Sequence, residues 1–150
     1  IRRQRQMCIR DRGYDKINQL RHAKFLKNMD GVRAHMKKHA AIIAPKFDVV
    51  LKAFNTELGG KGIAEWTNPN GGYFISLNVL NGCAKRTVEL CKEAGVVLTP
   101  AGATYPYGKD PDDSNIRIAP TFPPVEELEL AVDLLCTSVQ LAAAEKLLAE

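Results

Sequence analysis

Between Val32 and Leu58 the apolar residues recur every three or four positions: Val32, Met36, Ala40, Ile43, Phe47, Val50, Phe54 and Leu58. That spacing puts all of them on one face of an α-helix. It predicts a helix of about 27 residues, long for a globular protein, whose stripe needs a correspondingly large apolar partner surface. Gly59 and Gly60 end it, and Asp30 stands where it can cap the start. Pro45 removes one backbone donor, which predicts a kink near Ile42.

The segments that follow are read as strands and helices in alternation. "GIAEW" (62–66) and "GYFISLNV" (72–79) flank "TNPNGG", a turn-forming run, and predict a hairpin. "CAKRTVELCKEAG" reads as a helix with Ala84, Val88, Leu90 and Cys91 apolar, ending at Gly95. "VVLT" is expected to be a short strand, and "IRIA" a second one after a long loop. Pro124, Glu126 and Glu127 suit a helix N-terminus, and Val125, Leu128, Val132, Leu135, Val139 and Ala142 then share one face to the end of the chain. With a shorter helix over Asp15 to about Asn28, the order is α-α-β-β-α-β-β-α. The predicted class is α/β, an α+β two-layer arrangement in which a small mixed sheet is packed with helices.

At 150 residues the chain supports one domain with a real core. No apolar run approaches the ~18–20 residues that span a bilayer, so no membrane association is expected. The net charge of +4 suggests a polyanion partner, but residues 1–12 hold five arginines and one aspartate and account for all of it. Residues 13–150 carry no basic excess, which removes the electrostatic case for nucleic-acid binding. "RQMCIRDR" also looks like translated sequencing-adapter DNA, so residues 1–12 are expected to be non-native and the domain to occupy 13–150. Cys8, Cys83, Cys91 and Cys136 form no CxxC pair and read as reduced thiols of a cytoplasmic protein.

Most candidate chemistry is thin. His35 and His39 have a chelating spacing, but Lys37 and Lys38 lie between them and no glutamate does, so a solvated helix face is expected and no metal. His22, Cys83 and Cys91 lack an activating neighbour in sequence, and "NPNGGY" matches no phosphate loop. Arg117 differs, because strand alternation aims it away from the face that Ile116 and Ile118 share. A surface arginine on an edge strand would account for it. So would a carboxylate clamp, since a guanidinium binds carboxylate bidentately and stays charged. The loop from Thr99 to Ser114 feeds directly into Arg117, and loops of that length are uncommon in compact domains unless they serve function.

"GGYFISL", "CKEAGVVLTPAGATYPYGKDPDDSNIRIAP" and "FPPVEELELAVDLL" together resemble the C-terminal part of a fold-type I pyridoxal-phosphate aminotransferase, most nearly the divergent bacterial aspartate aminotransferases. The resemblance covers Gly13 to Glu150. It implies the small domain of a homodimeric enzyme, closing over substrate against a larger cofactor-binding domain. It implies an exchange of the amino group between an amino acid and a 2-oxo acid in two half-reactions. It also places the arginine that holds the substrate α-carboxylate at Arg117. The family's Schiff-base lysine, phosphate ligands and pyridine-nitrogen aspartate lie upstream, so this segment is expected to supply substrate binding through Arg117, no catalytic residue, and no pyridoxal 5'-phosphate binding of its own. Tyr105 and Tyr107 could touch substrate or simply face solvent. A truncated enzyme should expose part of the Val32–Leu58 stripe. Two other readings share these residues: the aminotransferase-like domain of a transcription regulator, and a stand-alone amino-acid-binding module.

Overall fold

The computed structural model describes residues 15–149, and the basic run at 1–12, with Cys8, lies outside them. The chain divides into two compact units after Ile42, inside its longest helix. In the first, α1 (Lys16–Leu26) is capped by Asp15, whose carboxylate accepts from the Asn18 N–H at 3.1 Å. Only Lys27 and Asn28 separate the Leu26 end of α1 from helix α2 (Met29–Glu57). Its cap is Asn28, whose side chain accepts from the Gly31 N–H at 2.9 Å. Asp30, the expected cap, instead lies in the first turn and pairs with Arg33 one turn on. The helix is continuous through Pro45.

The stripe on α2 is buried in its second half only. Phe47, Val50, Phe54 and Leu58 are core residues, whereas Met36 and Ala40 are exposed and Ile42, beside the stripe, is about two-thirds exposed. Ile17, Leu20, Phe25 and Met29 are equally open, so the apolar surface is broad. Surfaces of this kind mark contacts with other protein surface. The 150-residue chain alone should therefore enhance the fluorescence of a hydrophobic dye such as ANS well above a compact monomer of its size. A silent dye with cooperative monomeric unfolding would contradict it.

The second unit is built on a three-stranded sheet in the order β1 (Ala64–Trp66), β2 (Ile75–Val79), β3 (Asn115–Ile118). Both pairings are antiparallel, with Trp66 opposite Leu77, Ile75 opposite Ile118 and Ser76 opposite Arg117. One face carries Ile75, Leu77, Val79, Ile116 and Ile118, all buried beneath α2, α3 (Ala84–Glu93) and α4 (Val125–Ala149). Leu128, Val132, Leu135, Val139 and Ala142 supply the α4 side, as their spacing predicts. In α3 the inward positions are Ala84, Thr87 and Cys91, while Val88 and Leu90 are only half-buried. The buried Thr87 hydroxyl donates to the Cys83 carbonyl at 2.9 Å, which makes its burial tolerable.

The predicted layers hold, but the sheet is antiparallel throughout rather than mixed, because "VVLT" joins no strand. Gly95, at φ +94°, ends α3, and the Val96 N–H turns back to the Cys91 carbonyl at 2.8 Å. Val96 and Leu98 then pack on the core. The place of a fourth strand beside β3 is taken at Asn115 by the loop: the Gly102 N–H reaches the Asn115 carbonyl at 3.1 Å, and the Asp110 carboxylate accepts from the Asn115 N–H at 2.8 Å.

Candidate functional site

The other face of the sheet is polar. Alternation and register place Glu65, Ser76, Asn78, Asn115 and Arg117 on it. Arg117 is the third residue of β3, the edge strand that the loop leads into. Its guanidinium carbon lies 4.7 Å from the centre of the Phe74 ring, a cation–π stack on the residue just before β2. Its Nε is buried without a hydrogen-bond partner. Among the described residues no carboxylate pairs with Arg117. A half-buried cation with an orphaned donor is costly to keep, and an incoming carboxylate would repair it.

The loop from Thr99 to Ser114 is far from structureless. Its backbone closes in successive turns, Tyr105 N–H to Gly102 and Gly108 N–H to Tyr105, with a single 3₁₀ turn over Pro106–Gly108. Asp110 organises the exit, its carboxylate accepting from the N–H groups of Asp112, Ser114 and Asn115. Desolvation works to raise the Asp110 pKa, but those three bonds, with Lys85 nearby, outweigh it and hold it below the usual carboxylate range. A depressed folded value contributes stability above the unfolded pKa and loses it as pH falls through the folded one. The loop should therefore loosen only in acid.

Gly102 shows why this loop needs a glycine. Its φ is +74°, and a Cβ there would lie 3.0 Å from the Gly108 carbonyl oxygen and 3.2 Å from Asp110. Gly102→Ala combines left-handed strain of ~1–2 kcal/mol with a push against the loop's own backbone. We expect a lower melting temperature and faster proteolytic nicking between residues 99 and 114. Unchanged values for both would show that the loop adapts freely.

The remaining candidates fall elsewhere. The His35 and His39 Nε2 atoms are 3.1 Å apart and bond to each other on an exposed helix face, and Phe25 meets His35 edge-on. His22 is bonded to the Asn18 carbonyl within its own helix. Cys83, Cys91 and Cys136 are buried. Burial pushes the Cys136 thiol up to about 12 and raises Cys91 too, the opposite of an activated nucleophile. Tyr107 is almost fully exposed, at φ +59°. Tyr105 borders a shallow cleft of about 540 Å³ with Glu65, Asn78 and Asp112, whose lining does not include Arg117. Sequence reasoning passed over Phe74, Thr104, Asp110 and Asn115. Only Asn115 left a trace there, since it stands two residues before Arg117 and so on the same strand face.

Among the described residues no lysine stands on the polar face of the strands, and the one cation there, Arg117, has the planar fork of donors that binds a carboxylate or a phosphate.

The fold recurs in solved aminotransferases. An aspartate transaminase from Corynebacterium glutamicum superposes with a TM-score of 0.88 at 53% identity, over 94% of this chain and 33% of that one. LysN, an α-aminoadipate aminotransferase from Thermus thermophilus solved with N-(5'-phosphopyridoxyl)-L-leucine, shares the fold at a TM-score of 0.66 and 20% identity, over 81% of this chain and 30% of its own. The fold is that of an aminotransferase C-terminal domain. In sequence, the C. glutamicum aspartate aminotransferase is 55% identical over 137 residues, 91% of this chain and 32% of the relative. The sequence model of the aspartate amino-transferase family matches residues 2–150, and the chain belongs to that family. It spans about a third of the length of these relatives.

Proposed function

We propose that the chain is the substrate-closing small domain of an enzyme that moves an amino group between an amino acid, aspartate or glutamate, and a 2-oxo acid. The observation that carries this is Arg117: a half-buried guanidinium on the polar sheet face, stacked on Phe74, with a buried Nε that no described group satisfies. In this reading two of its N–H groups hold the substrate α-carboxylate as a fork, and the Phe74 ring limits the planes it can adopt. The guanidinium offers only donors, in a planar fork, so its task is to bind and orient the carboxylate. Pyridoxal 5'-phosphate, implied by the family and by the adduct in LysN, would be held by parts of the enzyme outside this segment; it supplies the electron sink for the exchange.

The exposed apolar residues of α1 and of the first half of α2 support a place for this segment in a larger assembly, a cofactor domain and a second subunit in a homodimer. Three buried thiols suit a reducing compartment such as the cytoplasm. Among the described residues no helix is long and apolar enough to cross a membrane. The test is a full-length enzyme carrying this segment, loaded with cofactor and given aspartate and 2-oxoglutarate. Formation of oxaloacetate and glutamate is expected. A loaded enzyme that exchanges no amino group with either amino acid would overturn the reading.

A further inference from the structure

Two residues before Arg117, Asn115 has every polar group of both its backbone and its side chain engaged. Its N–H donates to Asp110 and its carbonyl accepts from Gly102. Its side-chain oxygen accepts from the Thr104 hydroxyl at 2.6 Å, while its amide donates to the Ser76 hydroxyl at 2.8 Å and to the Asn78 side-chain oxygen at 2.7 Å. Three partners come from the loop and two from β2, and Asn115 is only 6% exposed. A buried amide with all its bonds made has one orientation available. Strand β3 is just four residues long and lies at the sheet edge, so its ladder with β2 fixes little of how the chain enters it. Ser76 is bonded to Asn115 and stands directly opposite Arg117 in the register, so the network reaches the arginine's own position from the neighbouring strand.

We propose that Asn115, held by the Thr104 hydroxyl, is a positioning residue that fixes where β3 presents Arg117, so that the loop from Thr99 to Ser114 sets substrate affinity without touching substrate. This rests on the reading of Arg117 as the carboxylate-binding residue. The Thr104–Asn115 bond is the part that can be cut with least damage, because Thr104 lies at the surface and Thr104→Val keeps its shape.

The experiment is steady-state kinetics with aspartate on the full-length holoenzyme, comparing Thr104→Val, Thr104→Ser, Arg117→Ala and the Thr104→Val, Arg117→Ala double variant, with melting temperatures alongside. Loss of one such bond should raise KM about fivefold, with kcat changed less than KM and the melting temperature nearly kept. Thr104→Ser should restore KM. In the Arg117→Ala background the Thr104→Val effect should vanish, because a group acting through Arg117 has nothing left to position. An unchanged KM in Thr104→Val, or the same KM increase with and without Arg117, overturns the inference while leaving the carboxylate role intact. An Arg117→Ala enzyme with unchanged KM overturns the carboxylate role itself, and this inference with it.

Discussion

Replacing Arg117 with alanine in the full-length holoenzyme should raise KM for aspartate by about 30- to 5,000-fold, the range that follows from the ~2–5 kcal/mol lost when one member of a buried, hydrogen-bonded charge pair is truncated. Among the described residues, no second cation stands on the same face of the strands to take over. Turnover should fall as well, since a carboxylate held loosely leaves the reacting bond misaligned. Arg117→Lys should recover little. An ammonium is a compact point charge, unable to form the two parallel bonds or to stack flat on Phe74. Steady-state kinetics is the measurement, and wild-type KM values in both variants would remove Arg117 from the binding site.

The second large effect concerns stability. Phe54 has no solvent exposure, and its ring lies 5.5 Å from that of Trp66, tilted by 58°. It joins α2 to β1 in the core of the second unit. Phe54→Ala should cost ~3–5 kcal/mol, transfer and cavity together, against a total of ~5–15 kcal/mol for an ordinary domain. Met36→Ala, on the same helix stripe but 63% exposed, should cost no more than ~0.5 kcal/mol in the 150-residue chain. Urea unfolding of the two variants beside the parent measures both. Equal costs would show that the stripe is not divided as its burial implies.

That division explains what could and could not be read from the residues. The periodicity of Val32 to Leu58 is the same along its whole length, so it predicted the helix and was silent on which half would find a partner within this chain. Helix α4 was legible because its predicted apolar face, from Leu128 to Ala142, is buried inside the second unit. "VVLT" misled because a short β-branched apolar run packs on a core whether or not hydrogen-bonding partners exist beside it. Its missing partner is a tertiary matter: the β3 edge at Asn115 was already filled by a glycine N–H and an aspartate carboxylate. Asp30 was read as a cap by residue type, and Asn28, equally suited, won by two positions of chain geometry. Arg117 was visible as an arginine out of phase with its isoleucines. Its orphaned Nε and its stack on Phe74 join residues 43 positions apart, a separation at which sequence spacing carries no information.

The way the loop fills the edge of β3 also bears on how this chain behaves at high concentration. Cross-β assembly starts from six or seven residues of exposed strand edge, and this sheet offers three residues in β1 at one side and four in β3 at the other, the latter partly occupied. Such edges are poor templates for an added strand. Crowded molecules would meet instead through the open apolar faces of their helices, giving soluble, helix-rich clusters that dissociate on dilution rather than fibrils that seed their own growth.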